Sequence, residues 1–403
     1  MGIYRNLFRV PRVLSITAAQ LFARLPLGIL SLAILVHVEH HSGSYATAGA
    51  VVACLTVGEA IAMPLTSRLA GQGNRTAATL MTCAVINGSS MLALAFATTS
   101  GLQSMALGLI VGASVPPMMP VVRALYPQML PRDGVRALFA LDTTAQEMIW
   151  VVGPVAAMGL STLVSTALPL IVSAAITLVG TAWFLASARG LRPRPRPRGG
   201  RGRVLTRRSV LLAMVAGCTL VGSFTALEVG VVAELGNSGL TAGAAIALAS
   251  VGSIVGGLTW GHRRFGLRGV VAALTVVAAG TASFGLTHVL ALQLCALFVS
   301  GLGFAPAMSA LYFMVSQDVD EGVSTEAFGW LHSGSLIGAA LGTSAAGAAT
   351  DAHGPAGAIV AATLFAAVAA ASPLIARATG PVGGLVDDEP VMPEPCPTLR
   401  VDG

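Results

Sequence analysis

Long apolar runs alternate with short polar segments along almost the whole chain, and this pattern predicts membrane-spanning helices. A helix crosses a bilayer with about 20 mostly apolar residues, and the chain contains twelve runs of about that length. They are too long for the roughly ten-residue strands of a membrane β-barrel. The predicted helices, numbered 1 to 12, cover residues 13–36, 46–66, 77–97, 103–126, 138–160, 168–188, 209–233, 241–260, 269–287, 290–315, 326–349 and 355–376. The fold class predicted is an all-α membrane protein with twelve transmembrane helices.

The composition excludes a soluble protein. Of the 403 residues, 55% are hydrophobic and 10% are charged, and the mean hydropathy is +0.80. A soluble domain carries roughly 25% charged residues, so this chain could not cover the surface of a soluble fold. All 23 basic residues are arginines, which together with abundant Ala and Gly is typical of a GC-rich bacterial genome. We therefore predict a multi-pass protein of the bacterial cytoplasmic (inner) membrane.

No motif predicts enzymatic chemistry. The five cysteines form no CxxC pair and four of them fall in apolar runs, so neither a disulfide framework nor a zinc site is expected. Without lysine the chain has no P-loop for ATP. No Ser, His or Cys set has a recognisable catalytic spacing. The sequence predicts a protein that is not an enzyme and binds no metal or cofactor.

The placement of arginine orients the predicted helices, because short cytoplasmic loops carry an excess of Arg and Lys. With the N-terminus in the cytoplasm, every arginine-bearing loop falls on the cytoplasmic side and no outer loop holds an arginine. The outer loops carry residues such as Glu39, Glu234 and Asp351 instead. One helix more or fewer would destroy this sorting. Both termini are therefore predicted to be cytoplasmic.

Two halves of the chain repeat one another. "TAGAVVACLTVG" at Thr47–Gly58 and "TAGAAIALASVG" at Thr241–Gly252 share seven of twelve positions. The match continues at an offset that drifts from 194 to 189, and in the predicted helices 4 and 10 it pairs Gly112, Pro117, Met119 and Gln128 with Gly301, Pro306, Met308 and Gln317. Chance matches would not stay collinear. We predict a duplication with an N-terminal six-helix bundle at 1–188 and a C-terminal one at 209–378.

Between the halves lies "RGLRPRPRPRGGRGRVLTRR", a basic linker at 189–208. Alternating Arg-Pro favours an extended, solvated segment. A basic run can also indicate nucleic-acid binding, but here it lies between two apolar helices without interleaved aromatics. Setting the topology and contacting anionic lipid headgroups are sufficient roles, so no nucleic-acid partner is predicted. The tail at 379–403, rich in Pro, Gly and acidic residues, is predicted to be disordered and cytoplasmic.

Six helices, a linker and six related helices resemble the major facilitator superfamily (MFS), in which two parallel repeats form the transporter. That family carries a loop signature, roughly Gly-x-Leu-Ala-Asp-Arg-x-Gly-Arg-Arg, after helix 2. The first copy here, "SRLAGQGNRT", has Gly71 and Gln72 in place of Asp-Arg, and the second copy also lacks the acid. A latch built on that acid is therefore weakened here or made from other residues. The matching loop positions are Arg68, Gly73, Arg75, Gly261, Arg263, Arg264, Gly266 and Arg268.

Gly153-Pro154 in "WVVGPVAAMG" matches the end of a helix 5 signature of proton-driven exporters in the family. Helix-breaking prolines and glycines occur at comparable places in the two halves, in "SVPPMMP" of helix 4 and "GLGFAP" of helix 10. Interrupted helices at corresponding places point toward a binding region, although prolines also serve packing.

Few ionisable residues lie within the predicted helices, and such residues usually mark function because burying a charge in the membrane is expensive. Arg24, Glu59 and Glu147 are predicted at similar depth, and Arg24–Glu147 is the expected pair. This pair is either a proton-coupled switch or a fixed ion pair. Arg123 and Asp142 are expected to pair near the inner ends of helices 4 and 5. His332 in helix 11 is a candidate proton carrier or simply a hydrogen-bonded histidine.

The resemblance implies a secondary transporter that works by alternating access, with a small-molecule substrate and protons as its partners. Proton-coupled export of a hydrophobic or amphipathic compound is the first hypothesis. A proton-coupled importer of a small organic anion, with Arg24 as counter-ion, and a non-transporting membrane sensor are the alternatives. We expect a monomer.

Overall fold

A computed structural model of the protein describes residues 11–96, 101–130, 132–193, 204–235, 239–261, 263 and 266–378. Within these ranges the regular structure is helical and no strand occurs. The helices are α1 (Pro11–Ser42), α2 (Tyr45–Ala70), α3 (Thr76–Phe96), α4 (Gly101–Ala113), α5 (Met118–Met129), α6 (Arg132–Leu163), α7 (Leu168–Ser187), α8 (Arg208–Leu235), α9 (Gly239–Trp260), α10 (Leu267–Gly285), α11 (Leu290–Asp318), α12 (Glu321–His353) and α13 (Pro355–Ala378). Parts of the linker, Arg264 and the tail lie outside the described residues.

The predicted architecture of twelve helical spans is confirmed, with α4 and α5 as the two parts of the fourth span. Ten of these spans are long and apolar enough to cross a membrane by composition alone. The two others are α6 and α12, with 32 and 33 residues. They have the length but are more polar, because α6 carries Asp142, Gln146 and Glu147 and α12 carries His332. The two least apolar spans therefore hold three of the six candidate coupling residues, Asp142, Glu147 and His332.

The fourth span is broken where the sequence predicts it. The helix ends at Ala113, and a new one begins at Met118 after two consecutive prolines. Proline has no N–H to donate, and it disfavours the helical conformation of the residue before it. The corresponding prediction for the tenth span was wrong: Pro306 lies inside α11, which runs without interruption from Leu290 to Asp318. A single proline is accommodated there, whereas Pro116 and Pro117 together are not.

The internal repeat is present in the helix packing. A Cβ built on Gly58 of α2 would overlap the Leu109 carbonyl of α4, and one on Gly252 of α9 would overlap the Phe298 carbonyl of α11. The converse contacts are also repeated, with Gly112 on the Leu55 carbonyl and Gly301 on that of Ala249. Small residues let helix backbones approach this closely. The duplicated glycines thus specify the same helix crossing in both bundles.

Among the described residues, the hydrophobic core that the two bundles share lies at one end. We call it the linker end, because it holds the start of α1, where Arg12 donates to the Arg189 carbonyl beside the linker. One continuous hydrophobic core joins both bundles there and includes Phe139 and Phe328, with ring centroids 6.0 Å apart. At the opposite end the core divides into one cluster within the N-terminal bundle and one within the C-terminal bundle. The molecule is therefore closed at the linker end.

Several helix pairs form this closure, and two of them, α2 with α12 and α6 with α9, meet through glycines. Between α2 and α12, Gly329 packs against Met63 and Ser67. Between α6 and α9, Gly257 packs against Thr144, and one turn further Gly261 packs against Ala140. Each close approach uses a glycine of the C-terminal bundle. The same helices carry charged groups one turn away from these contacts, in the direction of the opposite end.

Candidate functional site

Asp142 of α6 is the centre of a buried charge cluster. Its carboxylate accepts hydrogen bonds from Arg24 Nη1 at 2.7 Å, from Arg123 Nε at 2.8 Å and from Gln20 Nε2 at 3.1 Å. Asp142 is 0% exposed, Arg24 2% and Arg123 1%. Removing such charges from water costs several kcal/mol per ion, and the attraction between the paired charges offsets this desolvation penalty inside the bundle. The predicted Arg123–Asp142 pair is confirmed.

The predicted Arg24–Glu147 pair was wrong. Arg24 is bound by Asp142, and it also donates to Gln20 Oε1 at 2.9 Å and to Gln146 Oε1 at 2.6 Å. Depth along the helices suggested Glu147, but Asp142 and Gln146 share a face of α6 because they are four residues apart. Glu147 points away from that face. Gln20 and Gln146 were missed by the sequence analysis, although each lies four residues from a charged member of the cluster.

Arg123 also connects the two bundles. Its guanidinium carbon lies 3.6 Å from the centroid of the Tyr312 ring on α11. The face of an aromatic ring attracts a cation, most strongly when both are desolvated. Arg136 lies over Phe313 in the same way, at 4.6 Å. Tyr312 thus covers a buried charge from the other bundle.

A second connection joins Glu59 of α2 to His332 of α12. Glu59 Oε1 and His332 Nε2 are 2.7 Å apart, and both side chains are largely buried. The two residues are 273 positions apart in sequence and belong to different bundles. Both were candidates in the sequence, but nothing there indicated that they meet. The pair lies one turn beyond the Met63–Gly329 contact, at the base of the space between the bundles.

Glu147 lies at the equivalent place on the other side of the closure. It is one turn beyond Thr144, which packs on Gly257 of α9. Glu147 is 6% exposed, and in the described part of the chain it takes part in no ion pair. Glu59 and Glu147 thus lie one turn beyond the two glycine contacts of the closure.

The loop signature takes part in the closure through glycine packing and one ion pair. Gly73 has φ +48°, a conformation that glycine adopts without strain. Gly71, in the place of the family's acid, packs against Thr325 near the start of α12. Arg68 reaches Glu326 at 3.9 Å, a loose and exposed pair. Backbone packing of Gly71 therefore occupies the position where the family has the acid of its latch. The buried ion pairs of Asp142 and the Glu59–His332 pair lie further from the linker end.

The remaining signature positions are close to the linker end. Arg75, Arg263 and Arg268 are exposed, Gly261 and Gly266 are buried, and Arg264 lies outside the described residues. In α6, a Cβ on Gly153 would overlap the backbone of Gly28 in α1, and Pro154 continues the helix. Gly153 thus sets how closely the first and fifth spans cross. Within the described residues, no three His, Cys, Asp or Glu side chains come together as metal ligands.

Comparison with known proteins identifies the family. The model described as Major Facilitator Superfamily matches residues 16–319, which is most of the chain. No curated protein sequence matches it. Among solved structures, the human organic anion transporter MFSD10 (TETRAN) is 16% identical with a TM-score of 0.71, and 90% of this chain and 98% of that chain are covered.

Two further structures are similar over their whole length. A bacterial homologue of the iron transporter ferroportin, in an outward-facing state, is 12% identical with a TM-score of 0.72, covering 90% of this chain and 98% of that chain. The E. coli fucose:proton symporter FucP is 14% identical with a TM-score of 0.71, covering 92% and 99%. At such low identity the likeness concerns the fold.

Proposed function

The chain belongs to the major facilitator superfamily, and we propose that it is a proton-coupled exporter of a hydrophobic or amphipathic compound. It is an integral multi-pass membrane protein and a transporter rather than an enzyme. We place it in the bacterial cytoplasmic membrane with both termini in the cytoplasm, on the arginine distribution. In this proposal two bundles move relative to each other, one at 1–188 and one at 209–378, and the linker at 189–208 connects them.

Alternating access is supported by the asymmetric closure. The bundles share one core at the linker end and have separate cores at the opposite end. With the linker in the cytoplasm, this is an outward-facing arrangement. Opening the linker end requires separating α2 from α12 and α6 from α9, and rocking of one bundle against the other accomplishes both.

The observation that carries proton coupling is the Glu59–His332 hydrogen bond of 2.7 Å across the bundle interface. A carboxyl oxygen and an imidazole nitrogen at this distance share one proton in a hydrogen bond. While the linker end is closed, the proton stays in the bond. When the linker end opens, the two groups separate and the proton can leave to that side, so each cycle carries a proton inward.

The charged groups around this pair leave it free to act in this way. On α2 and α12 the nearest is the Arg68–Glu326 pair, about 2.5 turns from Glu59 along α2 and about 1.7 turns from His332 along α12, toward the linker end. On the neighbouring α1 and α5, Arg24 and Arg123 are held by Asp142. The anion-importer hypothesis required Arg24 to be available as a counter-ion, and its hydrogen bonds to Asp142, Gln20 and Gln146 speak against that role.

Transport in everted membrane vesicles tests the proposal. With an imposed proton gradient, an exporter accumulates the fluorescent compound Hoechst 33342 in the vesicle lumen, and dissipating the gradient releases it. Glu59→Gln and His332→Gln are each expected to abolish gradient-driven accumulation. Asp351→Asn, an exposed acid on the opposite side of the molecule, is the matched control and keeps wild-type accumulation.

Other outcomes point elsewhere. Gradient-driven uptake of an organic anion in right-side-out vesicles would establish the importer instead. Binding of compounds without flux in either vesicle type would establish a sensor. Full coupling in both Glu59→Gln and His332→Gln would rule out this pair as the proton carrier.

A further inference from the structure

We propose that the N-terminal bundle binds one chloride ion in a small cavity between α1, α3, α5 and α7, beside Arg24. This inference does not depend on the substrate or the direction of transport. It depends on three features: a cavity of the size of a small ion, two buried donor atoms at that cavity without a hydrogen-bond partner, and the excess positive charge of the Asp142 cluster.

The cavity lies where the fourth span is broken. Its volume is about 20 Å³, and it is lined by residues of the break, by Arg24 and by the polar side chains of Asn87, Thr177 and Thr181. About 10–15 Å³ is enough for one water molecule, so the cavity admits a water or a monatomic ion but no carboxylate or phosphate. All of its lining residues belong to the N-terminal bundle. The site therefore stays intact when the two bundles separate.

The contact between α1 and α7 places Thr181 beside Arg24. A Cβ on Gly180 would lie 2.6 Å from the Cα of Ala23, so the two helix backbones touch at the residues directly before Thr181 and Arg24. Glycine permits this close approach. Both side chains that line the cavity are almost fully buried, with Arg24 at 2% and Thr181 at 1% exposed. One small ion can thus contact both of them.

Two donor atoms at this cavity have no partner in the described part of the chain. The Nη1 and Nη2 atoms of Arg24 are bound to Asp142, Gln20 and Gln146. Its Nε, however, is unpartnered, and so is Thr181 Oγ1. Leaving a buried donor unpaired costs free energy, and it costs more when the group is charged. Because a guanidinium N–H can only donate and a hydroxyl can also donate, one acceptor in the cavity satisfies both groups.

The charge balance favours an anion as this acceptor over a water molecule. Arg24 and Arg123 share the single carboxylate of Asp142, and all three side chains are buried. These three groups carry one positive charge in excess, and a buried charge is costly unless it is paired. Tyr312 covers Arg123 and offsets part of that charge. The start of α5 at Met118 also borders the cavity, and the N-terminus of a helix is its positive end.

Binding of radiolabelled chloride to the purified full-length protein tests the proposal. Equilibrium dialysis is performed at constant ionic strength, with gluconate as the balancing anion because it is too large for the cavity. We expect saturable binding of one chloride per chain. Thr181→Val removes the hydroxyl and should weaken chloride binding about tenfold or more, because hydrogen bonds to a charged group are the strong ones. Thr181→Ser keeps the hydroxyl and should bind chloride like the wild type.

The matched control is Thr275→Val in the C-terminal bundle, where the hydroxyl donates to a carbonyl of its own helix. This variant should keep wild-type chloride binding. A ligand that binds only the folded protein stabilises it. Replacing gluconate by chloride should therefore raise the unfolding temperature of the wild type and of Thr275→Val, but not that of Thr181→Val.

Bromide locates the site, because it replaces chloride and scatters X-rays anomalously. In crystals of the wild-type protein grown with bromide, an anomalous peak is expected within hydrogen-bond distance of Arg24 Nε and Thr181 Oγ1. The inference is overturned if chloride does not bind saturably, if Thr181→Val binds it as tightly as Thr275→Val, or if the bromide peak lies elsewhere. Should Thr181→Val not fold, the position of bromide in the wild type decides. A cavity that takes up only water gives neither chloride binding nor a bromide peak.

Discussion

Arg24 Nη1 donates to Asp142 Oδ1 over 2.7 Å, and both side chains are sealed inside the N-terminal bundle. This pair joins the first span to the fifth, and Arg123 adds the fourth span through the second carboxylate oxygen at 2.8 Å. Three helices of one bundle are thus tied by a single aspartate. The cluster therefore holds the first, fourth and fifth spans of the N-terminal bundle together.

Replacing Asp142 by Asn should destabilise the protein strongly. Two buried guanidinium groups would lose their only carboxylate partner, and removing one member of a buried charge network costs roughly 3–5 kcal/mol. Thermal unfolding in detergent should therefore begin at a clearly lower temperature than in the wild type. Asp351→Asn, an exposed acid-to-amide change, should leave it unaltered. Equal unfolding temperatures for the two variants would contradict a structural role of the cluster.

Tyr312→Leu should favour opening of the linker end. The Tyr312 ring covers Arg123 from the other bundle, and such a contact contributes about 0.5–2 kcal/mol. Ser67, buried against Gly329, is a suitable reporter. In a background without native cysteines, Ser67→Cys should react several-fold faster with a maleimide when Tyr312 is Leu. Tyr312→Phe keeps the aromatic ring, so the cysteine at position 67 should react at the same rate in this variant as in the protein with Tyr312. Identical maleimide reaction rates in the Leu and Phe variants would show that the Arg123–Tyr312 contact does not contribute to the closure.

Two glycines of α6 should respond differently to alanine. A Cβ at Gly153 would overlap the backbone of Gly28, whereas nothing lies within 4 Å of one at Gly159. Gly153→Ala forces the first and fifth spans apart, and overpacking of this kind costs about 1–3 kcal/mol. Gly159→Ala should be neutral or slightly stabilising, because Ala favours a helix by up to about 1 kcal/mol. Unfolding temperatures of the two variants give the comparison, and a more stable Gly153→Ala protein would contradict the close crossing.

Glu147→Gln should abolish proton-coupled flux and leave the protein folded. Glu147 is the second coupling candidate of the sequence analysis, beside the Glu59–His332 pair. Glutamine has nearly the same shape but can neither bind nor release a proton, and Glu147 takes part in no ion pair of the described structure whose loss would unfold the bundle. Accumulation of Hoechst 33342 in everted vesicles is the measurement, with gel filtration for folding. Wild-type proton-driven accumulation in the Glu147→Gln variant would refute a role of Glu147 in proton coupling.

Much of the fold was predictable because the membrane makes local information decisive. Every backbone polar group must be satisfied within its own segment in lipid, so each apolar run of sufficient length becomes a helix. The repeated glycines of Thr47–Gly58 and Thr241–Gly252 also predicted a repeated bundle, since backbone contact needs a residue without a side chain. The break of the fourth span followed from its consecutive prolines. The tenth span was misjudged, because one proline within a long helix is tolerated.

The partners of the charged groups were decided by the tertiary structure. The sequence determined that Arg24, Glu59, Glu147, Arg123, Asp142 and His332 lie within the membrane, and at which approximate depth. It did not determine which side of each helix faces which neighbour. Asp142 and Glu147 are five residues apart, a rotation of about 140° at 100° per residue, so they face different surroundings. Arg24 therefore pairs with Asp142, and Glu59 meets His332 only because two bundles pack together.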